Sequence, residues 1–217
     1  MLYIVSTPIG NLKDITLRAI EVLKSVDLIA CEDTRHSRIL LEHYGIKTPT
    51  TSYFQHNRFT KAKYLLEKLK SGSDIALISD AGMPGILDPG QHIINLAIQS
   101  NIPITVIPGA TAFICALALS GKPTHKFIFE GFLPKKSAAR RRRLEELKNL
   151  NYTVIFYESR HRILTTLEDV QAVFGDIAIV VARELTKKFE EVLRSRISQI
   201  HEHFSKGKPR GEFVVII

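Results

Sequence analysis

Residues 79–90, SDAGMPGILDPG, constrain the fold of this chain more than any other segment. They directly follow an apolar run, Ile75–Ile78, that is typical of a buried strand. Three glycines, two prolines and two aspartates fall within these twelve residues, so the chain must turn sharply and cannot continue into regular structure. Ligands bind at loops that follow strands in α/β sheets. The segment therefore predicts a small-molecule pocket with the carboxylate of Asp80 at its edge.

Apolar runs alternate with amphipathic segments through the first half of the chain. The pattern predicts strands at residues 2–5, 28–31, 75–78 and 104–107, and helices at 15–24, 37–44, 60–70, 88–99 and 110–119. This β-α-β-α order favours a mostly parallel sheet covered by helices.

The second half reads as a mixed α/β domain. It follows a candidate linker, SGKPT at residues 120–124, with predicted strands at 127–129, 154–157, 177–182, 189–193 and 213–217 and helices at 138–150 and 165–174. The sequence thus predicts an α/β protein with an N-terminal domain (1–119), the linker and a C-terminal domain (125–217). We expect the active-site cleft between the two domains.

Composition and missing motifs exclude several classes of protein. No apolar stretch approaches the roughly 20 residues that span a bilayer, and the amino terminus does not resemble a signal peptide. With only Cys31 and Cys115, neither a disulfide framework nor a four-cysteine zinc site is available. The first turn, STPIGN, lacks a dinucleotide-binding glycine pattern, and no Walker A, HExxH or GxSxG motif is present. We therefore expect a cytoplasmic protein that uses no metal.

The charge distribution points to a polyanionic partner. The net charge is +8, and an RRRR run follows two lysines in the flexible FLPKKS segment. A clustered positive field attracts nucleic acid, although a solvated helix face would show the same pattern. The candidate RNA-binding residues are Lys135, Lys136, Arg140, Arg141, Arg142 and Arg143.

Polar clusters follow the predicted strands repeatedly. EDTRH begins at Glu32, YESRHR at Tyr157 and RELTKKFE at Arg183, while small residues in PGATA follow the strand at 104–107. Each cluster has a structural alternative: Asp33 or Thr34 can cap a helix, and the acid–arginine pairs can be structural ion pairs. Their recurrence at strand ends favours function.

Seven blocks of the sequence, in collinear order, resemble the RsmI-type 16S rRNA (cytidine-2′-O)-methyltransferases. These belong to the tetrapyrrole-methylase-like, class III, S-adenosylmethionine-dependent fold. The blocks are TPIGNLKDITLRA, CEDTRHSRILL, SDAGMPGILDPG, PGATAFICALALSG, GFLPKK, YESRHRI and RELTKKFEE. Met83, Leu87 and Arg160 stand where the family usually has threonine, serine and proline.

The resemblance implies 2′-O-methylation of a cytidine in the decoding region of small-subunit 16S rRNA. S-adenosylmethionine would be the donor, the RNA or the assembled subunit the partner, and a homodimer the default assembly. The implied donor contacts are Ile9, Asp80, Met83, Thr111, Ala112, Tyr157, Ala182 and Gly211.

Methyl transfer to a ribose hydroxyl requires alignment of the reactants and removal of the hydroxyl proton. The candidate catalytic residues are Glu32, Asp33, Arg35, Glu158 and Lys187. Two other functions stay open: a tetrapyrrole (corrin or porphyrin precursor) C-methyltransferase of the same fold, and a non-enzymatic RNA-binding module. The glycine-poor first turn argues against the former, and the loop at 79–90 against the latter.

Overall fold

Short, mostly apolar strands organise the first half of the chain. In the computed structural model, which describes residues 1–217, residues Met1–Thr111 form one of two units. The strands of this unit are β1 (Leu2–Val5), β2 (Leu28–Cys31), β3 (Thr50–Ser52), β4 (Ile75–Ile78) and β5 (Ile104–Ile107). They pair in the order β3-β2-β4-β1-β5, and every pair is parallel.

Helices cover both faces of this parallel sheet. They are α1 (Leu17–Ser25), α2 (Thr34–His43), α3 (Arg58–Lys70) and α4 (Gln91–Gln99). Leu65 of α3 and Ile93 of α4 pack in one core cluster, whereas Leu23 of α1 and Leu41 of α2 pack in the other. The central strands are therefore buried on both sides, which is why they read as unbroken apolar runs.

The second unit, Ala112–Ile217, contains a mixed sheet. Its elements are α5 (Ala112–Ser120), β6 (Phe127–Phe132), α6 (Ser137–Lys148), β7 (Thr153–Ser159), α7 (Ile163–Phe174), β8 (Ala178–Arg183), β9 (Glu191–Arg196), α8 (Ile197–Ser205) and β10 (Glu212–Ile216). The strand order is β6-β7-β10-β8-β9, and only β6–β7 is parallel. The predicted α/β class, with a parallel and a mixed sheet, is confirmed.

The structure and the sequence prediction differ in a few elements. Strand β3 and helix α8 were not predicted, because β3 is a polar three-residue edge strand and α8 carries an isolated apolar stripe of Ile197, Ile200 and Phe204. Helix α2 begins at Thr34 instead of residue 37, since the Asp33 side chain caps it. Contacts group α5 with the second unit, whereas the sequence places it before the linker; the predicted domain limits stay a prediction.

No helix of the structure is both long and apolar enough to cross a membrane.

A buried ion pair joins α6 to α7 in the second unit. The Arg140 guanidinium lies 2.6 Å from the Asp169 carboxylate, and both side chains are about 3 % exposed. Arg140 also donates to the backbone oxygens of Pro134 and Lys135, and Ser137 donates to Asp169. The first arginine of the RRRR run is thus an internal structural residue, because burial leaves its side chain no surface for RNA.

Burial raises the pKa of the Asp169 carboxyl, but its contacts with Arg141, Ser137 and Arg140 outweigh burial and hold that pKa below the ordinary 3.8. A carboxyl whose pKa is lower in the folded state stabilises the fold above its ordinary pKa, and the stabilisation is lost as the pH falls. The ion pair therefore stabilises the second unit at neutral pH and weakens in acid.

We expect Arg140→Ala to lower the free energy of unfolding by about 3 kcal/mol at pH 7, because it removes the buried cation that pairs with the buried Asp169 carboxylate. Arg142→Ala is the matched control, since Arg142 is 84 % exposed and lies 3.6 Å from Glu146; its effect should stay within about 0.5 kcal/mol. Urea denaturation of both variants measures the difference. Equal stabilities would contradict the structural role of Arg140.

Candidate active site

The carboxyl ends of four parallel strands place four turns along one edge of the first sheet. β1 leads into Ser6, β2 into Glu32, β4 into Ser79 and β5 into Pro108. Because these strands are adjacent and parallel, their turns share one edge, as the sequence predicts for ligand-binding loops.

The turn after β1 and the loop after β4 are joined by backbone hydrogen bonds. The N–H of Thr7 donates to the oxygen of Gly82 at 2.9 Å, and the N–H of Gly82 donates back to Thr7 at 3.1 Å. The Thr7 hydroxyl also donates to the backbone oxygen of Ser79. Gly82 adopts a φ of +82°, which favours glycine. The reciprocal pair therefore fixes residues 79–82 against the first turn.

The turn after β5 is held against the same first turn. The Ser6 hydroxyl donates to the backbone oxygen of Ala110 at 2.8 Å. A Cβ atom at Gly109 would lie 2.9 Å from the Cβ of Ser6, so only glycine permits this approach. Three turns of the sheet edge are thus fixed to one another through main-chain atoms and short side chains.

The predicted donor-binding residues of the first unit lie on these turns. Ile9 lies beside Gly82 and is 9 % exposed. Asp80 and Met83 flank Gly82 in the same loop, and Thr111 follows the turn after β5. Ile9 thus lies beside the loop that carries Asp80 and Met83, whereas Ala112 begins helix α5 in the second unit.

Carboxylates gather where β2 and β4 end. Burial is the main cause that raises the pKa of Glu32 above the ordinary 4.5, and the nearby Asp88 and Asp80 carboxylates raise it further. Burial likewise raises the pKa of Asp88, with Asp80 adding to the effect. The backbone N–H of Asp33 donates to Asp80 at 3.2 Å. The edge therefore holds a carboxylate, Glu32, that is a stronger base than an ordinary glutamate.

Asp33 forms an ion pair with Arg35 that lowers the pKa of its carboxyl. The Arg35 guanidinium donates to both carboxylate oxygens of Asp33, at 3.1 and 2.8 Å. This contact, with the backbone N–H of Arg35, holds the pKa of Asp33 well below its usual range. Asp33 is therefore a weak base that caps helix α2, and Arg35 extends from it with 90 % of its side chain exposed.

In the second unit, Lys187 lies between two carboxylates. Its ammonium group is 3.0 Å from Glu184 and 2.9 Å from Glu212. Burial lowers the pKa of Lys187, but these two partners outweigh it and raise the pKa overall. Lys187 therefore remains a cation at neutral pH and is not a general base.

Glu184 and Gly211 position Lys187. Glu184 has a φ of +50°, and its carboxylate accepts from the backbone N–H of Glu212. A Cβ atom at Gly211 would lie within 2.6 Å of the Glu184 carboxylate. Gly211 thus leaves the space in which the Glu184 side chain supports Lys187.

The other predicted residues of this unit have unequal access to solvent. Tyr157 accepts a hydrogen bond from the backbone N–H of Phe113 and lies edge-on to Phe129 and Phe132. Ala182 is a fully buried residue of β8. Burial also argues against Glu158 as a base: its carboxylate is unexposed and already binds Thr166, Ser159 and Arg162.

The arginine run divides into buried, paired and exposed members. Arg143 is engaged by Glu130 and Glu146, and Arg141 binds Asp169 while half of its side chain is exposed. Lys135, Lys136 and Arg142 are exposed. Lys135, Lys136 and Arg142 are therefore the cations of this segment that are most accessible to a ligand.

Sequence reasoning missed the residues that hold the turns in place. Ser6, Thr7 and Gly109 position the site through hydrogen bonds and close approach. The sequence shows small hydroxyl residues and a Pro-Gly pair directly after apolar strands. Only the order of the strands in the sheet, however, shows which of these turns are neighbours.

Comparison with known sequences identifies a family model and relatives that match most or all of the chain. The family model described as Tetrapyrrole (Corrin/Porphyrin) Methylases matches residues 1–201. The chain is 52 % identical to the ribosomal RNA small subunit methyltransferase I of Haemophilus influenzae, over all of this chain and 78 % of that protein. It is 45 % identical to the protein of the same name from Thermotoga maritima, over all of this chain and 97 % of that protein.

Solved structures share the fold at low sequence identity. A diphthine synthase matches with a TM-score of 0.76 at 15 % identity, over all of this chain and 88 % of that one. The cobalt precorrin-4 methyltransferase CbiF matches with a TM-score of 0.73 at 16 % identity, over 99 % and 93 %. A Thermus thermophilus uroporphyrin-III C-methyltransferase complexed with S-adenyl homocysteine matches at 0.66 and 15 %, over 99 % and 96 %. These likenesses show the fold.

The raised pKa of Glu32 predicts an unusual stability effect. A carboxyl whose pKa is higher in the folded state stabilises the fold only when protonated, and this contribution is lost as the pH rises. We therefore expect Glu32→Gln to unfold at a higher urea concentration than the parent at pH 7, with the gain shrinking toward pH 4. Glu21→Gln, at an exposed position of α1, should show no gain. A less stable Glu32→Gln at pH 7 would contradict the strained carboxylate cluster.

Proposed function

Because the chain belongs to the tetrapyrrole methylase family, we propose that it is a methyltransferase that uses S-adenosylmethionine to modify the 16S rRNA of the small ribosomal subunit. The single observation that carries this proposal is the 45–52 % identity, over the whole chain, to relatives named ribosomal RNA small subunit methyltransferase I. The tetrapyrrole-modifying structures that share the fold are only 14–18 % identical, so the rRNA substrate is favoured over a tetrapyrrole.

The first unit offers groups that fit the donor. S-adenosylmethionine supplies an electrophilic methyl group on a positively charged sulfur, together with a flat adenine and a polar ribose. Ile9 and Met83 provide apolar surface, Asp80 provides a carboxylate for hydroxyl groups, and Gly82 and Gly109 keep the turn backbones free of side chains.

Glu32 is the best candidate for the general base. Removal of the proton from a ribose 2′-hydroxyl needs a carboxylate that is more basic than usual, and burial with two neighbouring carboxylates gives Glu32 that property. Asp33 lacks it because Arg35 lowers its pKa, and Glu158 is engaged in the interior of the second unit. The proton of the ribose hydroxyl would pass to a Glu32 carboxylate oxygen.

Cations of each unit suit the phosphates of an RNA strand. Arg35 extends from the edge of the first sheet with its guanidinium exposed, and Lys187 is held protonated by Glu184 and Glu212. On α6 and the segment before it, the RNA contacts would come from Lys135, Lys136 and Arg142, with Arg141 and Arg143 contributing their exposed parts. Phosphate contacts of this kind position the RNA without reading its sequence.

We further propose that the acceptor is a cytidine ribose 2′-hydroxyl in the decoding region and that the reaction uses no metal. The protein is proposed to be a homodimer in the cytoplasm. Support for the hydroxyl acceptor comes from the basic carboxylate of Glu32, since an oxygen nucleophile must lose a proton.

Methylation of isolated small ribosomal subunits with labelled S-adenosylmethionine tests the function directly. We expect label on one cytidine ribose, located by digestion and sequencing of the 16S rRNA. Glu32→Gln should slow the single-turnover rate at least a hundredfold, the usual range for loss of a general base, while Glu21→Gln keeps the parent rate. No incorporation into the rRNA, or label on a base instead of a ribose, would refute the proposed reaction.

A further inference from the structure

A cleft of about 410 Å³ lies within the first unit, apart from the three joined turns. It is bounded by the start of α3, the chain that leaves β3, and the second half of the loop at residues 85–90, which leads into α4. Ser6, Thr7, Ile9, Asp80 and Met83 do not line it. Its volume falls in the range of small-molecule sites, so the cleft is large enough for a planar heterocycle.

Flat side chains of α3 and α4 line the cleft. The Arg58 guanidinium carbon lies 4.7 Å from the centre of the Phe59 ring, and the Phe59 and His92 rings lie 4.9 Å apart at 71°. Phe59 is 58 % exposed, so more than half of its side chain is available to a ligand. Aromatic and guanidinium planes of this kind stack on nucleobases that have left the RNA helix.

Hydrogen-bonding groups also line the cleft. Helix α4 begins at Gly90 with no side chain that caps its first N–H groups. The amides of Gln55, Gln91 and Asn95 also line the cleft. These donors and acceptors match the hydrogen-bonding edge of a base.

Tyr53 gives independent support for a ligand. The residue lines the cleft and is only 1 % exposed, yet no protein atom completes a hydrogen bond with its hydroxyl. Burial raises the pKa of this hydroxyl, and the nearby Ile93 N–H and Arg58 guanidinium oppose the rise, although the Ile93 N–H does not reach hydrogen-bonding geometry. A buried hydroxyl without a partner destabilises a fold by about 1–3 kcal/mol, and a base edge would supply the missing partner.

The charges of the cleft favour a base over a phosphate. Arg58 is opposed by the Asp88 carboxylate on the same lining, so the cleft has no excess of cations when His92 is neutral. A phosphate group would need such an excess, whereas a neutral heterocycle does not.

We propose that this cleft binds one unstacked nucleobase of the RNA substrate, in contact with the flat side chains of Arg58, Phe59 and His92 and with the polar groups around Tyr53. This inference rests on the proposed rRNA methyltransferase function and adds a specificity site to it. A nucleobase could also come from the adenine of the donor. The RNA is favoured because the residues assigned to the donor, Ile9, Asp80 and Met83, lie outside the cleft.

Two variants and two probes test the cleft. The probes are isolated small ribosomal subunits, measured by filter binding, and S-adenosylhomocysteine, measured by calorimetry. We expect Phe59→Ala to weaken subunit binding about tenfold, within the range for loss of one base–aromatic stack, with S-adenosylhomocysteine affinity unchanged. Tyr64→Ala is the matched control, because Tyr64 is an exposed aromatic residue of the same helix outside the cleft. It should leave both affinities unchanged.

Tyr53→Phe separates ligand binding from folding. Because the hydroxyl has no partner in the protein, the variant should have an equal or higher Tm and yet weaker subunit binding. Any loss of S-adenosylhomocysteine affinity in Phe59→Ala or Tyr53→Phe would assign the cleft to the donor's adenine and overturn the proposal, as would parent-like subunit binding in both. Subunit binding by the parent without methyl transfer would instead refute the proposed function alone.

Discussion

The reciprocal hydrogen bonds between Thr7 and Gly82 are the constraint on which the site of the first unit depends. They join the turn after β1 to the loop after β4 through main-chain atoms. Ser6 then fixes the turn after β5 through Ala110, and Asp80 receives the N–H of Asp33 after β2. Turns built mostly from short side chains can meet in this way only because the four strands end side by side in a parallel sheet.

Neighbouring residues at this edge of the sheet have different proposed roles. Residues 79–83 face the first turn and provide the proposed donor wall, while residues 85–90 lead away to α4 and line the cleft that contains Tyr53. Glu32 is made basic by burial and by neighbouring carboxylates, whereas Asp33, one residue later, is made a weak base by Arg35. Two adjacent acids thus differ in basicity because burial and nearby acids raise the pKa of one, whereas a guanidinium lowers the pKa of the other.

Most of the fold was predictable because local patterns determine it. The runs of β1, β2, β4 and β5 are short, apolar and bounded by turn residues, and the structure places those strands at the predicted positions. Strand β3 escaped prediction because it is polar and pairs only at the edge of the sheet. The loops of the candidate site were predictable for a related reason, since turn residues and charges follow the strands directly.

Burial and partner choice were not predictable from the sequence, because they depend on contacts between distant segments. Arg140 looks like any other member of the RRRR run, yet Asp169, 29 residues away, binds it in the interior. Glu158 looks like a catalytic acid, but Thr166 and Arg162 engage it inside the second unit. The sequence likewise does not indicate that the buried Tyr53 hydroxyl lacks a hydrogen-bond partner.

Hydrogen exchange of the backbone amides, with and without S-adenosylhomocysteine, tests most directly the claim that the joined turns hold the methyl donor. We predict slower exchange on ligand addition in residues 6–11, 79–83 and 108–111 of the first unit, and unchanged exchange in α3 and at residues 53–59 around the cleft. Unchanged exchange in the three turns under saturating ligand would contradict the account.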